Sequence, residues 1–201
     1  MIIVTLIPSV QGGSGKVYGI VTNAIGDLIV SNYGVAKWEA VQETAGVEAD
    51  FLISTEPYPD ELSYRLIYAA CDVLDCRIED FLIQFGKHWV LETGVKYYGP
   101  LLVSGYTGLK DFLLNLPDFH TRILLLYPQL KPPEFACTDV TDNSMRLHYF
   151  TTRPGLTNFM VGLLRGLGEL HNVSVDIALV AAKDDGADHD IFEIRWEEPA
   201  K

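Results

Sequence analysis

Residues 131–137, Lys-Pro-Pro-Glu-Phe-Ala-Cys, mark the point at which the periodicity of this chain changes. Before this segment, apolar residues recur at spacings of three and four, which is typical of amphipathic helices. After it, apolar and polar residues alternate in short runs bounded by turn residues, which is typical of strands. Helices followed by such runs predict an α+β fold, in which a helical N-terminal half packs on a C-terminal antiparallel sheet.

The second half contains four strand-like runs and one helical run. Met145, Leu147 and Tyr149 alternate with the residues between them, so they predict a strand with one buried face. The predicted strands span 134–138, 145–151, 173–182 and 190–196, and a helix over 156–170 lies among them.

The first half is predicted to be helical from Tyr18 to about Tyr127. Gly46 is predicted to end the second helix, and Asp60 is a candidate cap for the third. The longest run, 108–127, contains Pro117, which predicts a kink or the end of its first half. Residues 89–94 are ambiguous between helix and loop.

Composition excludes several classes of protein. The chain has 201 residues, of which 48% are hydrophobic, so it is expected to form one folded domain. Its 15 basic and 27 acidic residues give a net charge of −12, which argues against nucleic acid and anionic membrane surfaces as partners. Three scattered cysteines favour a reducing, cytoplasmic location and do not form a zinc pattern.

His120 is the histidine whose surroundings are the most informative. Leu116 lies one turn before it, and Ile123, Leu124 and Tyr127 follow within two turns, so the imidazole is predicted to project into an apolar region. One interpretation is a core histidine that bonds a backbone carbonyl. The other is a haem ligand, because a haem iron needs only one ligand from the protein.

Tyr149, Thr151 and Arg153 offer a phenol, a hydroxyl and a guanidinium at every second position. If the segment is extended, the three side chains face the same way and match the two carboxylates of a haem. The alternative is an ordinary strand edge that leads into a helix cap.

Six segments, in this order and at this spacing, resemble the haem nitric oxide/oxygen binding (H-NOX) family over residues 17 to about 196. They are 17–25 (VYGIVTNAI), 85–89 (FGKHW), 119–122 (FHTR), 131–137 (KPPEFAC), 147–153 (LHYFTTR) and 161–164 (VGLL). The resemblance implies a sensor domain over 17–201, with residues 1–16 as a leader or linker of doubtful status.

The resemblance also implies a cofactor and roles for individual residues. One haem b per chain would lie between the two halves, with His120 as axial iron ligand. Pro133 would press on the porphyrin and distort it, and Phe159 matches the position at which oxygen-binding members carry a tyrosine. The propionates would be held by Tyr149, Thr151 and Arg153, and the distal pocket would comprise Ile20, Val21, Trp89 and Phe159.

Two positions depart from the family pattern. Thr151 replaces a serine and keeps the hydroxyl, although its methyl group needs room. Pro117 replaces a helix former three residues before His120, so it is expected to alter the helix that carries the iron ligand.

The implied function is a gas sensor, not an enzyme. Its ferrous haem is expected to bind nitric oxide and carbon monoxide and to exclude oxygen, because the predicted distal residues are apolar. Release of His120 is expected to shift the helical half relative to the sheet. No output domain is evident, so the expected partner is a separate histidine kinase or cyclic-di-nucleotide enzyme, encoded nearby in a bacterium.

Two other functions stay open at the level of sequence. One is a haem enzyme of peroxidase-like type, for which His88 beside Trp89 is the candidate acid–base residue. The other is a haem-free interaction module in which His120 is merely buried.

Overall fold

The computed structural model describes residues 15–103 and 105–197. Helices dominate the first half and a four-stranded sheet the second, as the change in periodicity predicts. In chain order the first half comprises β1 (Lys16–Tyr18), α1 (Gly19–Tyr33), α2 (Val35–Ala45), β2 (Pro57–Pro59), α3 (Asp60–Leu74), α4 (Ile78–His88), α5 (Val95–Val103), α6 (Leu109–Leu114) and α7 (Leu116–Leu126).

The second half comprises β3 (Glu134–Thr138), β4 (Ser144–Phe150), α8 (Thr157–Leu170), β5 (Ser174–Ala181) and β6 (Asp190–Glu197). The four strands form an antiparallel sheet in the order β3-β4-β6-β5. Helix α8 covers one face, so the alternate residues Met145, Leu147 and Tyr149 of β4 are buried, as predicted. The predicted strands agree with the observed ones to within two residues.

Two local signals in the first half are confirmed. Gly46 follows α2 in the left-handed conformation, with φ of 61°, which glycine adopts without steric penalty. Pro117 is the second residue of α7, and Asn115 separates this helix from α6. Proline is tolerated there because the first turn of a helix leaves its N–H groups without intrahelical partners.

Three features of the first half were not predicted. Strands β1 and β2 pair antiparallel, but each has only three residues, too few to show a periodicity. The ambiguous segment Trp89–Gly94 is a π-helical turn that joins α4 to α5. Lys16 belongs to β1, and the Gly15 carbonyl accepts a bond from the Asp60 amide at 3.1 Å. Residues 1–14 of the predicted leader lie outside the described residues.

Helices α4 and α8 cross in close contact at Gly86 and Gly162. A Cβ atom built on Gly162 would lie 2.2 Å from the carbonyl oxygen of Ile83 and 2.9 Å from the Cα of Gly86. A Cβ on Gly86 would lie 2.2 Å from the carbonyl oxygen of Phe159. The backbones can therefore approach this closely only because both residues lack a side chain.

The hydrophobic core has two parts. One lies among α1, α2, α3 and α4, and the other joins the inner face of the sheet to α5, α6, α7 and α8. Val21 and Trp89 pack against both parts. No helix in the described ranges has the length and apolar character that a membrane crossing requires.

We expect Gly162→Ala to lower the free energy of unfolding by about 3 kcal/mol, because the added methyl meets backbone atoms that cannot rotate away. Gly108→Ala is the matched control, since a Cβ there has no atom within 4 Å. The control should change stability by less than about 1 kcal/mol. Urea unfolding of both variants tests this, and equal stabilities would contradict the close crossing.

Candidate functional site

A cavity of about 300 Å³ lies between the two parts of the core. This volume is at the lower end of the range for ligand pockets, and most of the lining is apolar. All nine residues predicted from the sequence to form the site line this one cavity: Ile20, Val21, Trp89, His120, Pro133, Tyr149, Thr151, Arg153 and Phe159.

His120 lies on α7 with its ring fixed by one hydrogen bond. Its Nδ1 is 2.9 Å from the carbonyl oxygen of Leu116, one turn earlier. A carbonyl only accepts, so Nδ1 carries the proton and the neutral ring has its lone pair on Nε2. Nε2 makes no hydrogen bond within the described part of the chain. A bond from one ring nitrogen to a backbone carbonyl is the usual way in which a metal-binding histidine is oriented.

Burial also keeps His120 in the form that binds metals. Removal from water lowers the pKa of the imidazole, and the bond to Leu116 only partly opposes this shift. Phe135 stacks on the ring at a centroid distance of 5.3 Å, and Phe119 meets it edge-on at 5.4 Å. The imidazole is therefore held neutral and in one orientation.

One wall of the cavity is built from aromatic and aliphatic side chains. Phe85 is 5.1 Å from Phe159 and 6.4 Å from Trp89 between ring centroids, so the three rings form one cluster. Among the lining residues of α3, Ser63 and Tyr64 carry hydroxyls, and both already have partners. The Ser63 hydroxyl lies 3.2 Å from that of buried Thr22, and the Tyr64 hydroxyl donates to the carbonyl of Pro154. This wall therefore offers little hydrogen bonding to a bound ligand.

Tyr149, Thr151 and Arg153 meet at one end of the cavity, but not as residues of one strand. The prediction of an extended segment is wrong beyond Phe150, where β4 ends. The chain then turns, and the amide of Arg153 donates to Oγ1 of Thr151 at 3.1 Å. This turn brings the guanidinium back towards the cavity. Burial raises the pKa of Tyr149, so its phenol stays protonated as a donor.

Arg153 is held by an ion pair with Asp60, the first residue of α3. Its Nε and Nη2 donate to the carboxylate at 2.9 and 3.4 Å, and the two side chains are only 18% and 14% exposed. Nη1 and Nη2 also donate to the carbonyls of Lys131 and Lys16. These four bonds leave one of the five guanidinium N–H groups for a ligand.

The prediction that Asp60 caps α3 is therefore wrong. Its side chain makes no capping bond, and Pro59 precedes the helix instead. The carboxylate pairs with Arg153, 93 residues away in the sequence. Beside them, burial first and the Asp60 charge second raise the pKa of Tyr64 to about 12. Its hydroxyl donates to the carbonyl of Pro154 at 3.0 Å.

His88, the candidate acid–base residue of a peroxidase-like enzyme, does not line the cavity. Its Nε2 is buried without a hydrogen-bond partner in the described part of the chain, and burial lowers the pKa of the ring. Trp89 follows it and does line the cavity. The helix therefore turns the two neighbours in different directions.

The residues present fit a haem. A neutral imidazole offers one lone pair to an apolar cavity, and donors suited to carboxylates lie at one end. No cluster of three or more potential metal ligands occurs among the described residues, so the site does not suit a bare ion. A haem iron needs only one ligand from the protein because the porphyrin supplies four.

Sequence reasoning missed several lining residues, and the reasons differ. Phe85 precedes Trp89 by four residues, so helical spacing could have placed both on one face. Phe135 belongs to the segment that follows Pro133 and alternates into the interior. Asp60, Ser63 and Tyr64 carry no local signal, because their partners lie far away in the sequence.

Comparison with known proteins identifies the sequence family. Residues 18–179 match the family model described as Haem-NO-binding. The chain is 28% identical over 182 residues to soluble guanylate cyclase gcy-31 of Caenorhabditis elegans, a match that covers 89% of this chain and 26% of that protein. It is 20% identical over 169 residues to soluble guanylate cyclase 89Da of Drosophila melanogaster, covering 84% and 25%. The chain thus spans about a quarter of these relatives.

Solved structures share the fold. The H-NOX protein from S. oneidensis in the Fe(II)NO ligation state superimposes with a TM-score of 0.81 at 20% identity, covering 90% of this chain and all of that one. The Fe(II) unliganded H-NOX protein from K. algicida gives 0.81 at 23% identity, covering 92% and 99%. At this identity the likeness concerns the fold alone.

We expect Asp60→Asn to lower the free energy of unfolding by about 2 kcal/mol, because it removes the charged partner of a mostly buried guanidinium. Glu79→Gln is the matched control. It disrupts the ion pair with Arg77, whose side chains are 44% and 74% exposed, and such pairs contribute little. Thermal unfolding compares the two variants. Equal effects would show that the Asp60–Arg153 pair is not a structural link.

Proposed function

The chain belongs to the haem-NO-binding family, and on that premise we propose that it is a gas sensor whose ferrous haem binds nitric oxide and carbon monoxide and excludes oxygen. The family is one of haem-binding gas sensors. The observation that supports the proposal most is the neutral imidazole of His120, which lines the same apolar cavity as the aromatic rings of Phe85, Trp89 and Phe159.

We assign the residues as follows. When bound, one haem b per chain supplies the iron at which a diatomic gas is taken up. His120 would supply the protein ligand of the iron through Nε2, and Pro133 would contact the porphyrin. Tyr149, Thr151 and the remaining N–H group of Arg153 would hold the propionates. Thr151 would serve in place of a serine, since it lines the cavity and keeps the hydroxyl.

Discrimination among gases is attributed to the aromatic and aliphatic wall of the cavity. Bound oxygen carries partial negative charge and depends on a hydrogen-bond donor nearby, whereas nitric oxide and carbon monoxide depend on it much less. Phe159 carries no donor, and Ile20 and Val21 are aliphatic. Trp89 has an indole N–H, but the ring packs against Phe85. The wall is therefore expected to exclude oxygen.

The signal is proposed to pass from His120 into both halves of the protein. The imidazole is fixed to α7 through Leu116 and stacks on Phe135 of β3, so a displacement of His120 moves both elements. The Asp60–Arg153 pair ties α3 to the turn after β4 and resists their separation. Such a switch needs two arrangements of similar free energy, of which the ligand favours one.

We propose that the receiver of the signal is a separate protein in the cytoplasm, a histidine kinase or a cyclic-di-nucleotide enzyme. The curated relatives are guanylate cyclases in which the matched region is about a quarter of the chain. The net charge of −12 favours a partner with a basic surface, since complementary charges accelerate and orient association.

His120→Gly should abolish haem retention, because no other imidazole lines the cavity in the described residues. Free imidazole should restore it by occupying the space of the lost side chain. His171→Gly, a substitution outside the lining, should leave the Soret band unchanged. A wild-type ferrous spectrum of His120→Gly without imidazole would overturn the ligand assignment. Wild-type protein reconstituted with haem but lacking a Soret band would favour the haem-free interaction module.

In air, the ferrous protein should form no stable oxygen complex, whereas nitric oxide and carbon monoxide should each shift its absorption spectrum. Phe159→Tyr should add a hydroxyl donor to the apolar wall and produce an oxygen complex that persists long enough to record. Phe159→Leu controls for the change in packing and should bind no oxygen. A persistent oxygen complex in the wild type would refute the proposed selectivity.

A further inference from the structure

The turn between α3 and α4 brings two cysteines together. Asp75 follows α3 in the left-handed conformation, with φ of 50°, and the amide of Cys76 donates to the carbonyl of Cys71 at 3.1 Å. This pattern is a Schellman motif, in which the residue two places after the helix end contacts the residue three places before it. In this chain both of those residues are cysteines.

The two cysteines are neighbours and partly accessible. The backbone bond between them at 3.1 Å holds the two residues side by side, and both are half-buried with free thiols. The backbone bond closes a short turn, and a disulfide requires two cysteines whose backbones lie this close together. Cys137, the third cysteine, lies on β3, where its thiol donates to the carbonyl of Leu113. We propose that Cys71 and Cys76 form a reversible, redox-active disulfide site.

The surroundings indicate which thiol reacts first. Burial, followed by the neighbouring thiol of Cys76 and the charges of Asp72 and Glu79, raises the pKa of Cys71 to about 12. A thiol reacts as its thiolate, so Cys71 is a poor first nucleophile. Cys76 also lies in the turn after the helix, whereas Cys71 lies inside α3, so the first attack on the oxidant is assigned to Cys76 and the second to Cys71.

With a small-molecule disulfide such as glutathione disulfide as oxidant, the reaction balances in two exchanges. The thiolate of Cys76 attacks one glutathione sulfur, forms a mixed disulfide and releases one glutathione thiolate. Cys71 then loses its proton to water and attacks the sulfur of Cys76, which releases the second glutathione thiolate. The two cysteines lose two electrons and two protons, and glutathione disulfide is reduced to two thiols.

The position of the site links it to the cavity. Ser63, Tyr64 and Ile67 of α3 and Leu82 and Phe85 of α4 line the cavity. The cysteine pair lies at the turn between these two helices. A disulfide there would cross-link the end of α3 to the residue that leads into α4, and so restrict the opening of this turn.

The test is oxidation of the full chain by glutathione disulfide, followed by alkylation under denaturing conditions. The number of alkylated thiols per chain should fall from three in the reduced protein to one after oxidation, and dithiothreitol should restore all three. Asp72 and Asp75 lie between the pair, so a protease that cleaves before aspartate should release one disulfide-linked peptide pair. Hydrogen exchange of the amides at 75–78 should become slower.

Matched serine variants identify the cysteines involved. Cys137→Ser should still lose two thiols, whereas Cys71→Ser should accumulate a glutathione adduct on Cys76. Three alkylated thiols after oxidation of the wild type would overturn the proposal. So would a linkage to Cys137, or a persistent glutathione adduct on Cys76 in the presence of Cys71. None of these measurements depends on haem.

Discussion

The close crossing of α4 and α8 at Gly86 and Gly162 is the constraint on which the site depends. It fixes a helix of the first half against a helix that covers the sheet of the second. The aromatic wall of the cavity follows from this crossing. Phe85 is the residue directly before Gly86, and Phe159 lies about one helical turn before Gly162. Since backbone meets backbone there, the spacing of the two helices that carry these rings is set by main-chain geometry and not by adjustable side chains.

At the other end of the cavity the two halves meet through charge. Asp60 begins α3, and Arg153 lies in the turn after β4, so their ion pair spans the same two parts of the fold. The guanidinium also donates to the carbonyl of Lys16 in β1 and to that of Lys131 in the segment before β3. A propionate bound at this position would compete with Asp60 for the Arg153 guanidinium, so binding of a haem would affect the link between the halves.

Much of the fold could be predicted because it follows local rules. The alternation in β4, the glycine after α2 and the proline at the start of α7 each depend on residues a few places apart. The short strands β1 and β2 and the π-helical turn at 89–94 could not be predicted, because their stability comes from distant partners. Asp60 was misassigned for the same reason, since an acidic residue at a helix start has the same local pattern whether it caps or pairs elsewhere.

The sequence by itself determined the α+β order of elements and nominated His120, Tyr149, Thr151 and Arg153, because periodicity and residue spacing are local properties of the chain. Only the tertiary structure decided that these residues share one cavity. It also decided that His120 presents Nε2, since the bond to Leu116 and the burial of the ring are required to fix its proton. The contact between Cys71 and Cys76 likewise depends on the left-handed conformation of Asp75, which residue types alone do not specify.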